Sequence, residues 1–407
     1  MKVAIIGAGI SGVSVAKILE EKGVSSVVFE SEKTIGGLIK CDRIDGVLYH
    51  KVGGHVFNTK DEKVKKWFFS HFDVENEFQL ATRNSKIEIQ KNLVNYPIEN
   101  FIHQLPVRVG EKIIRELLQK KEIEKENFGR YLETCFGKTL YELYFKPYNE
   151  KIWRRELNEI ALEWLQDKLP MPDREDIIIN NIYRKSETKM AHSTFFYPIK
   201  GGSQFIIERL SKNLNFRKNT TITEIKLINS NKWLINNEVF THVIYTGNVK
   251  FLSTLLKPEG KIQINPEDFQ SHGTTSVLCE VEVNDLSWLY LPENNTKAHR
   301  IIMTGNFSKF NNGEYGLTAT VEFSEEIGND EISREVRKIP WVKKVISSHY
   351  QKESYIIQGP NTRERILEIK ETLANDRFYL LGRFAEWEYY NMDNAIKAAM
   401  NLTDEIC

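Results

Sequence analysis

The sequence predicts an α/β protein built on a parallel sheet, with an inserted helical domain and a separate β-sheet domain. Three observations support this fold class. Residues 3–6 form a continuous apolar run, as in strands buried on both faces of a parallel sheet. Residues 109–168 are rich in Glu, Lys and Leu at helical spacing, and residues 274–323 alternate as strands do. At 407 residues, the chain is long enough for two or more domains.

The composition limits the classes of function. Lys plus Arg and Asp plus Glu number 56 each, so the formal net charge is zero. This balance indicates neither a nucleic-acid-binding surface nor a polybasic membrane patch, although local arginines can still bind a phosphate. The four cysteines are far apart and predict reduced thiols, with no zinc site or disulfide framework. No run of about 18 apolar residues occurs, so no membrane span is expected.

The first predicted strand leads directly into a glycine-rich turn. The glycines of this G-x-G-x-x-G motif are Gly7, Gly9 and Gly12. They respectively make a tight turn, admit a pyrophosphate and let the following helix pack on the strand. That helix, predicted over 11–22 and opening with Ser11, points its positive end at the phosphate. Residues 27–29 form a second buried strand, and Glu30 ends it where a carboxylate can accept ribose hydroxyls. This combination favours a dinucleotide-binding Rossmann domain over an ordinary tight turn.

A second glycine pair follows in the next loop. Gly36 and Gly37, with the adjoining Leu38, would let the backbone approach a cofactor closely. The alternative is a flexible loop before the next strand. The Glu-then-Gly-Gly arrangement resembles the extended fingerprint of FAD proteins in the glutathione-reductase and amine-oxidase superfamily. This resemblance implies a glutathione-reductase-like FAD-binding domain.

A more specific resemblance begins at Gly46. From there the chain reads G-x-x-x-H-K-x-G-x-H-x-F-x-T, followed by D-x-x-V from Asp61. This stretch closely resembles the UDP-galactopyranose mutases, flavoenzymes that interconvert the pyranose and furanose forms of UDP-galactose. The resemblance implies that His55 lies near the flavin ring. The alternative is a core histidine bonded to the backbone.

The densest aromatic cluster lies in the predicted helical domain. Its members recur at three- and four-residue steps and so share one helical face, and they are Tyr141, Tyr144, Phe145 and Tyr148. Such a stripe is more often core than binding surface. However, F-G-K-x-L-Y-E-x-Y-F-K-x-Y-x-x-K-x-W resembles the mutase segment whose aromatics sandwich uracil. The resemblance implies that Tyr144 and Tyr148 flank the base, with Phe145 beside them, and that Trp153 is a lid residue.

Two arginines are candidate ligands for a diphosphate. Arg300, in the stretch A-H-R-I-I, resembles the residue on a mutase strand that binds the diphosphate, and its planar fork can hold two phosphate oxygens. The alternative is an arginine that pairs with a local carboxylate. The mutases carry a lid arginine just after a Leu-Pro pair, where this chain has Pro172. Arg174 follows two residues later, and Arg154 and Arg155 are nearby alternatives.

The C-terminal part resembles the family again. Residues 382–393 read G-R-x-A-E-x-x-Y-Y-x-M-D, similar to the mutase signature that wraps the flavin, with a helix expected from residue 394. The residues implied at the cofactor are Thr246, Gly382, Arg383, Asn391 and Met392. Those implied on the substrate side are Tyr197, Tyr355, Tyr389 and Asn391. Two departures stand out, because the family's Y-Y-P-V-N-D segment is degraded around Tyr355 and its Asp is replaced by Asn391.

From these patterns we expect a discontinuous cofactor domain in 1–85, 196–265 and 361–407, a helical domain in 86–195, and a β-sheet substrate domain in 266–360. The resemblance implies a mutase that uses N5 of reduced FAD on a UDP-sugar, without net redox change, for surface polysaccharides such as lipopolysaccharide or capsule. It also implies a cytoplasmic homodimer and an external reductant such as NAD(P)H. The implied catalytic residues are Arg300, Arg174, His55 and Tyr389.

Two alternatives to the mutase remain open. One is an FAD-dependent oxidoreductase of the amine oxidase, protoporphyrinogen oxidase or desaturase type, acting on another substrate. The other is a relative that binds FAD or a UDP-sugar without turnover. The altered lid, Asn391 and the Tyr355 segment favour the oxidoreductase, whereas Arg300 and the aromatic cluster oppose it.

Overall fold

A computed structural model of the protein describes residues 1–119, 122–160, 162, 173–184, 193–257 and 262–407. The strands of this part of the chain are, in order, β1 (Lys2–Ile6), β2 (Ser25–Phe29), β3 (Cys41–Ile44), β4 (Val47–His50), β5 (Phe78–Thr82), β6 (Ser85–Ile89), β7 (Asn92–Asn95), β8 (Thr194–Pro198), β9 (Phe216–Arg217), β10 (Ile225–Asn229), β11 (Lys232–Ile235), β12 (Glu238–Phe240), β13 (His242–Tyr245), β14 (Leu256–Lys257), β15 (Phe269–Val281), β16 (Trp288–Tyr290), β17 (Arg300–Ile302), β18 (Thr318–Phe323), β19 (Val342–Gln358) and β20 (Phe378–Leu380).

The helices are, in order, α1 (Ile10–Glu21), α2 (Glu62–Phe69), α3 (Val74–Glu77), α4 (Val107–Leu117), α5 (Phe128–Phe136), α6 (Lys138–Leu140), α7 (Lys146–Trp153), α8 (Arg174–Tyr183), α9 (Gly202–Leu210), α10 (Leu252–Leu255), α11 (Thr304–Phe307), α12 (Asn329–Val336), α13 (Thr362–Ala374) and α14 (Met392–Ile406). A π-helical turn, Tyr141–Phe145, joins α6 to α7. None of the helices in the described part of the chain has the length and apolar character to cross a membrane.

A parallel sheet organises the cofactor half of the protein. Its five strands lie in the order β20-β13-β1-β2-β9, and each neighbouring pair is parallel. Val3, Ala4 and Ile5 are fully buried, as expected for a strand covered on both faces. Because parallel strands end at the same edge, the segments after β1, β2, β13 and β20 meet there. The predicted α/β fold class is therefore confirmed.

A larger, mostly antiparallel sheet forms the second half. Its seven strands lie in the order β19-β15-β18-β17-β16-β6-β7. The sequence places β6 and β7 at the boundary between the cofactor and helical domains, but the structure adds them to this sheet, because β6 pairs in parallel with β16. In the antiparallel pair β16–β17, Tyr290 lies directly opposite Arg300. This sheet therefore contributes residues far apart in the sequence to one wall.

Helices α4 to α8 pack over the large sheet rather than forming a separate body. Their buried side chains, among them Ile113, Phe128 and Leu132, belong to the same hydrophobic core as Trp288 and Tyr290 of β16. The helices are amphipathic, and burial of their apolar faces against the sheet is what stabilises short helices of this kind.

Candidate active site

A cleft of about 550 Å³ lies at the carboxyl ends of the parallel strands, where the two sheets meet. It brings together predicted residues from both ends and the middle of the sequence. Those that line it are Gly7, Gly9, Ser11, Glu30, Gly36, Gly37, Leu38, His55, Thr246, Arg300, Tyr355, Arg383, Tyr389, Asn391 and Met392. A cleft at the carboxyl edge of an open α/β sheet is the usual ligand site of such folds.

The glycine turn leaves room that no other residue would leave. Gly7 has φ +105°, and a Cβ atom there would lie 2.4 Å from Oγ1 of Thr246. A Cβ on Gly12 would lie 2.0 Å from the carbonyl oxygen of Gly7, so Gly12 supports the turn from behind rather than lining the cleft. A Cβ on Gly37 would lie 3.1 Å from the Cα of Gly9. Two glycine loops therefore touch and form a bare backbone cradle.

The carboxylate of Glu30 holds this cradle and faces the cleft. Its Oε2 accepts the Ala8 N–H at 2.9 Å, and its Oε1 accepts the Glu32 N–H at 2.9 Å. A carboxylate has about four acceptor positions, so ribose hydroxyls can still bind it. Helix α1 begins at Ile10, where the backbone N–H groups of its first turn have no acceptor within the helix. These groups and the bare cradle fit a dinucleotide.

The C-terminal segment closes the cradle. Gly382 does not line the cleft, but a Cβ there would lie 2.6 Å from Oγ of Ser11, so glycine lets this segment close onto α1. Arg383 is held by the carbonyls of Ser354 at 3.1 Å and Tyr390 at 2.7 Å. Its guanidinium also lies over the ring of Tyr389, 4.5 Å from the centroid. A fixed cation thus faces the cofactor side of the cleft.

Helix α14 begins two residues earlier than predicted. Asn391 is the N-cap, with extended backbone, and its carbonyl accepts the Ala395 N–H at 3.0 Å. The sequence places the start at residue 394, but Met392 and Asp393 already form the first turn and line the cleft. Burial raises the pKa of Asp393 above its usual value. The positive end of α14 is therefore at the cleft itself.

His55 lines the cleft and carries a buried ring nitrogen. Its Nε2 is enclosed and has no hydrogen-bond partner among the described residues. Burial, together with His50, Arg383 and Arg300, lowers the pKa of His55 to about 3, so the ring is neutral at physiological pH. A buried polar atom without a partner costs free energy unless a ligand satisfies it. His55 therefore carries an unsatisfied nitrogen beside the cleft, and its contact with a cofactor stays a prediction.

Arg300 pairs with a local carboxylate, as one of its two predicted interpretations has it, and its binding of a diphosphate stays a prediction. It lines the cleft, and its Nε donates to Oε2 of Glu322, whose side chain is 1% exposed. Its Nη2 donates to the Tyr355 hydroxyl at 3.3 Å. The other oxygen of Glu322 accepts the Gly53 N–H at 2.7 Å, on the loop that carries His55. Glu322 thus links Arg300 of β17 to the loop that carries Gly53 and His55.

Arg174 does not reach the cleft, which corrects its assignment as a diphosphate ligand. Its guanidinium donates to the carbonyls of Thr134 and of Cys135, the latter at 3.2 Å, in the last turn of α5. Carbonyls at a helix C-terminus lack intrahelical donors and attract a cation. The neighbouring segment 169–172 lies outside the described residues. Arg154, a named alternative, forms an ion pair with Glu325 at 2.6 Å.

The tyrosines expected to sandwich a base stack on each other. The rings of Tyr144 and Tyr148 are parallel within 11°, with centroids 5.3 Å apart, and both side chains are buried. A base between them would need about 7 Å, twice the carbon contact distance. Trp153 meets the cleft residues Tyr355 and Tyr389 edge-on, with centroids 6.0 and 6.4 Å away. These side chains lie behind the wall of the cleft, and their contact with a base stays a prediction.

Two further substrate assignments are corrected by the structure. Phe145 stacks on Phe136 at 4.1 Å and does not line the cleft. Tyr197 is fully buried, and its hydroxyl bonds Nε2 of His50 at 2.7 Å and accepts from Asn311 at 3.1 Å. Tyr197 is thus a core residue, and Phe145 is half-buried and packs against the edge of the same core.

The sequence patterns do not identify several other side chains at the cleft. These are Arg83, Trp288, Tyr290 and Glu322. Trp288 and Tyr290 share one face of β16. This spacing of two aromatic residues in a strand could have identified them as neighbours on one surface. Arg83 and Glu322 carry no local pattern, since the pairing of distant strands places them.

Comparison with known proteins confirms the resemblance. Residues 5–72 match the family of NAD(P)-binding Rossmann-like domains. A dTDP-fucopyranose mutase from Escherichia coli is 26% identical over 61% of this chain, and the match spans 63% of that relative, less than two thirds of its length. A probable UDP-galactopyranose mutase from Klebsiella pneumoniae is 21% identical over 99% of this chain and 94% of its own. The structure of a reduced UDP-galactopyranose mutase has a TM-score of 0.89 at 20% identity, covering 100% of this chain and 93% of that one.

Proposed function

We propose that this protein is a flavin-dependent mutase that interconverts the pyranose and furanose forms of a nucleotide-linked sugar, for surface polysaccharides such as lipopolysaccharide or capsule. The observation that carries the proposal is one cleft with a dinucleotide cradle at one end and Arg300, Tyr355 and Tyr389 at the other. The similarity to mutases along nearly the whole chain supports it.

FAD is the proposed dinucleotide. Glu30 would accept its ribose hydroxyls, the cradle and the start of α1 would face its pyrophosphate, and Arg383 would add a fixed positive charge. Neutral His55 would hydrogen-bond the ring through its buried Nε2. When bound in reduced form, the flavin supplies a nucleophilic ring nitrogen for the anomeric carbon of the sugar, and the protein supplies position and charge.

The proposed substrate is a sugar joined to a nucleoside diphosphate, such as a UDP-sugar. Arg300 would hold the departing diphosphate, because its guanidinium already lies at the cleft and is oriented by Glu322 and Tyr355. Tyr355 and Tyr389 would line the sugar side and exclude water from it. We also propose that the enzyme is a cytoplasmic homodimer reduced by an external donor such as NAD(P)H.

An FAD-dependent oxidoreductase is the second candidate. Two observations favour it, since Arg174 is bound to α5 rather than to the cleft and Asn391 replaces an acid of the mutases. We rank the mutase first because of the similarity to mutases along nearly the whole chain.

The deciding experiment uses the purified flavoprotein under anaerobic conditions. It is reduced with dithionite and incubated with UDP-galactopyranose or dTDP-fucopyranose, and the furanose products are separated by chromatography. Conversion only after reduction supports the mutase, and Arg300→Ala should then lose most activity while retaining the yellow cofactor. Binding of the nucleotide without conversion supports the non-catalytic alternative. No binding, with oxygen-dependent flavin reoxidation by an amine or hydrocarbon, supports the oxidoreductase.

A further inference from the structure

Arg83 is a cation that the structure fixes at the cleft on neutral groups. It lies between β5 and β6, and its Nε donates to Oγ of Ser85 at 2.8 Å, while Nη2 donates to the hydroxyl of Tyr290. The guanidinium lies 4.8 Å from the ring centroid of Trp288 and 5.1 Å from that of Tyr96. Aromatic faces of this kind orient a guanidinium without neutralising its charge.

The charge of Arg83 has no protein counter-ion in the part of the chain that the structure describes. Arg300, by contrast, pairs with the buried carboxylate of Glu322. A guanidinium carries five N–H donors, and the two bonds of Arg83 leave the others for an acceptor in the cleft that this side chain lines. A planar fork with free donors and an uncompensated charge favours a phosphate.

Arg83 and Arg300 flank the same tyrosine. Tyr290 faces Arg300 across the β16–β17 ladder, where directly opposed side chains share a face and have Cβ atoms about 5 Å apart. The hydroxyl of this tyrosine also accepts the bond from Arg83. Tyr290 therefore links the two cations, since it is bonded to Arg83 and lies opposite Arg300.

We propose that Arg83 is the second arginine that binds the diphosphate of a nucleoside diphosphate, together with Arg300. This inference rests on the proposed function and deepens it. It gives Arg83 the role that the sequence suggests for Arg174. The second cation then belongs to the sheet framework, through the bond to Tyr290 and the parallel pairing of β6 with β16, and not to a lid.

The test uses the FAD-loaded, oxidised protein and its Arg83→Gln variant. UDP and dTDP are titrated by calorimetry, and uridine and thymidine, which lack the diphosphate, are titrated by NMR. The loss of one charged hydrogen-bonding group should weaken UDP and dTDP binding about 10- to 100-fold. Binding of the two nucleosides should not change. Arg365→Gln, at an exposed arginine paired with Glu368, is the matched control and should bind UDP as the wild type does.

Several outcomes would overturn the inference. They are unchanged UDP affinity in Arg83→Gln, an equal loss for UDP and uridine, loss of flavin from the variant, or a UDP defect in Arg174→Gln instead. If Arg83→Gln does not fold, Arg83→Lys keeps the charge without the fork and should weaken UDP binding by a smaller factor. A wild-type protein that binds neither UDP nor dTDP would instead refute the proposed function itself, so the two failures are distinguishable.

Discussion

The Glu322→Gln substitution tests the buried ion pair at the centre of the cleft wall. Glu322 accepts on both oxygens, from the Gly53 N–H at 2.7 Å and from Nε of Arg300, and its side chain is 1% exposed. Glutamine has nearly the same shape but only one acceptor oxygen. Either the backbone N–H or the guanidinium must then face an NH₂ group, and Arg300 loses its counter-ion.

The expected loss follows from these contacts. Breaking a buried pair from one side costs about 3–5 kcal/mol. Arg300 keeps 23% of its side chain exposed, so water offsets part of the cost, and we expect about 3 kcal/mol, the lower end of that range. Glu325→Gln is the matched control, because Glu325 is 26% exposed and its partners Arg154 and Lys297 are more than 40% exposed. Such surface pairs are worth about 1 kcal/mol or less.

The assay is urea unfolding of both variants and the wild type, followed by tryptophan fluorescence and far-UV circular dichroism. We expect a clearly lower midpoint for Glu322→Gln and a nearly unchanged one for Glu325→Gln. Because Gly53 belongs to the loop that carries His55, Glu322→Gln should also alter the flavin absorbance spectrum. Equal midpoints for Glu322→Gln and the wild type would refute the two-acceptor description of this pair.

Three other perturbations have defined outcomes. Gly12→Ala should abolish flavin retention, because its Cβ would lie 2.0 Å from the carbonyl oxygen of Gly7. Retention is measured as the absorbance at about 450 nm per protein. The control is Gly328→Ala, which meets open space and should retain flavin. Burial lowers the pKa of His50 from 6.5 to about 4, so between those values the unfolded chain binds the proton. On acidification this residue should lower the free energy of unfolding by about 1.4 kcal/mol per pH unit, in addition to the similar contribution of His55. Urea midpoints at pH 6.5 and 5 check this, and His50→Gln should show a shallower dependence. Lys151→Met leaves three carbonyls before β17 without their donor and should cost about 1–3 kcal/mol in urea unfolding, whereas Lys146→Met, at a 43% exposed ion pair, should cost little.

The cofactor end of the cleft can be predicted from the sequence because its constraints are local. Gly7, Gly12 and Glu30 belong to one strand–helix–strand unit, and each is required by a steric or hydrogen-bonding condition within that unit. A glycine in the sequence can directly mark a position where a side chain would not fit, because glycine alone has no Cβ atom. The predicted start of α14 was two residues late, although asparagine at position 391 is a favoured N-cap residue and was a usable signal.

The substrate end depends on contacts that no local pattern encodes. Arg83 reaches Tyr290, which lies opposite Arg300, because β6 pairs in parallel with β16. Arg174 lies outside the cleft because the carbonyls at the end of α5 bind its guanidinium. An arginine looks the same in sequence whether it meets a carboxylate, a helix end or an aromatic face. The sequence by itself therefore determined the α/β fold and the dinucleotide cradle, through backbone sterics and hydrophobic periodicity over short spans. Only the tertiary structure decided which cations face the cleft, because long-range strand pairing and helix ends select the partner of each charge.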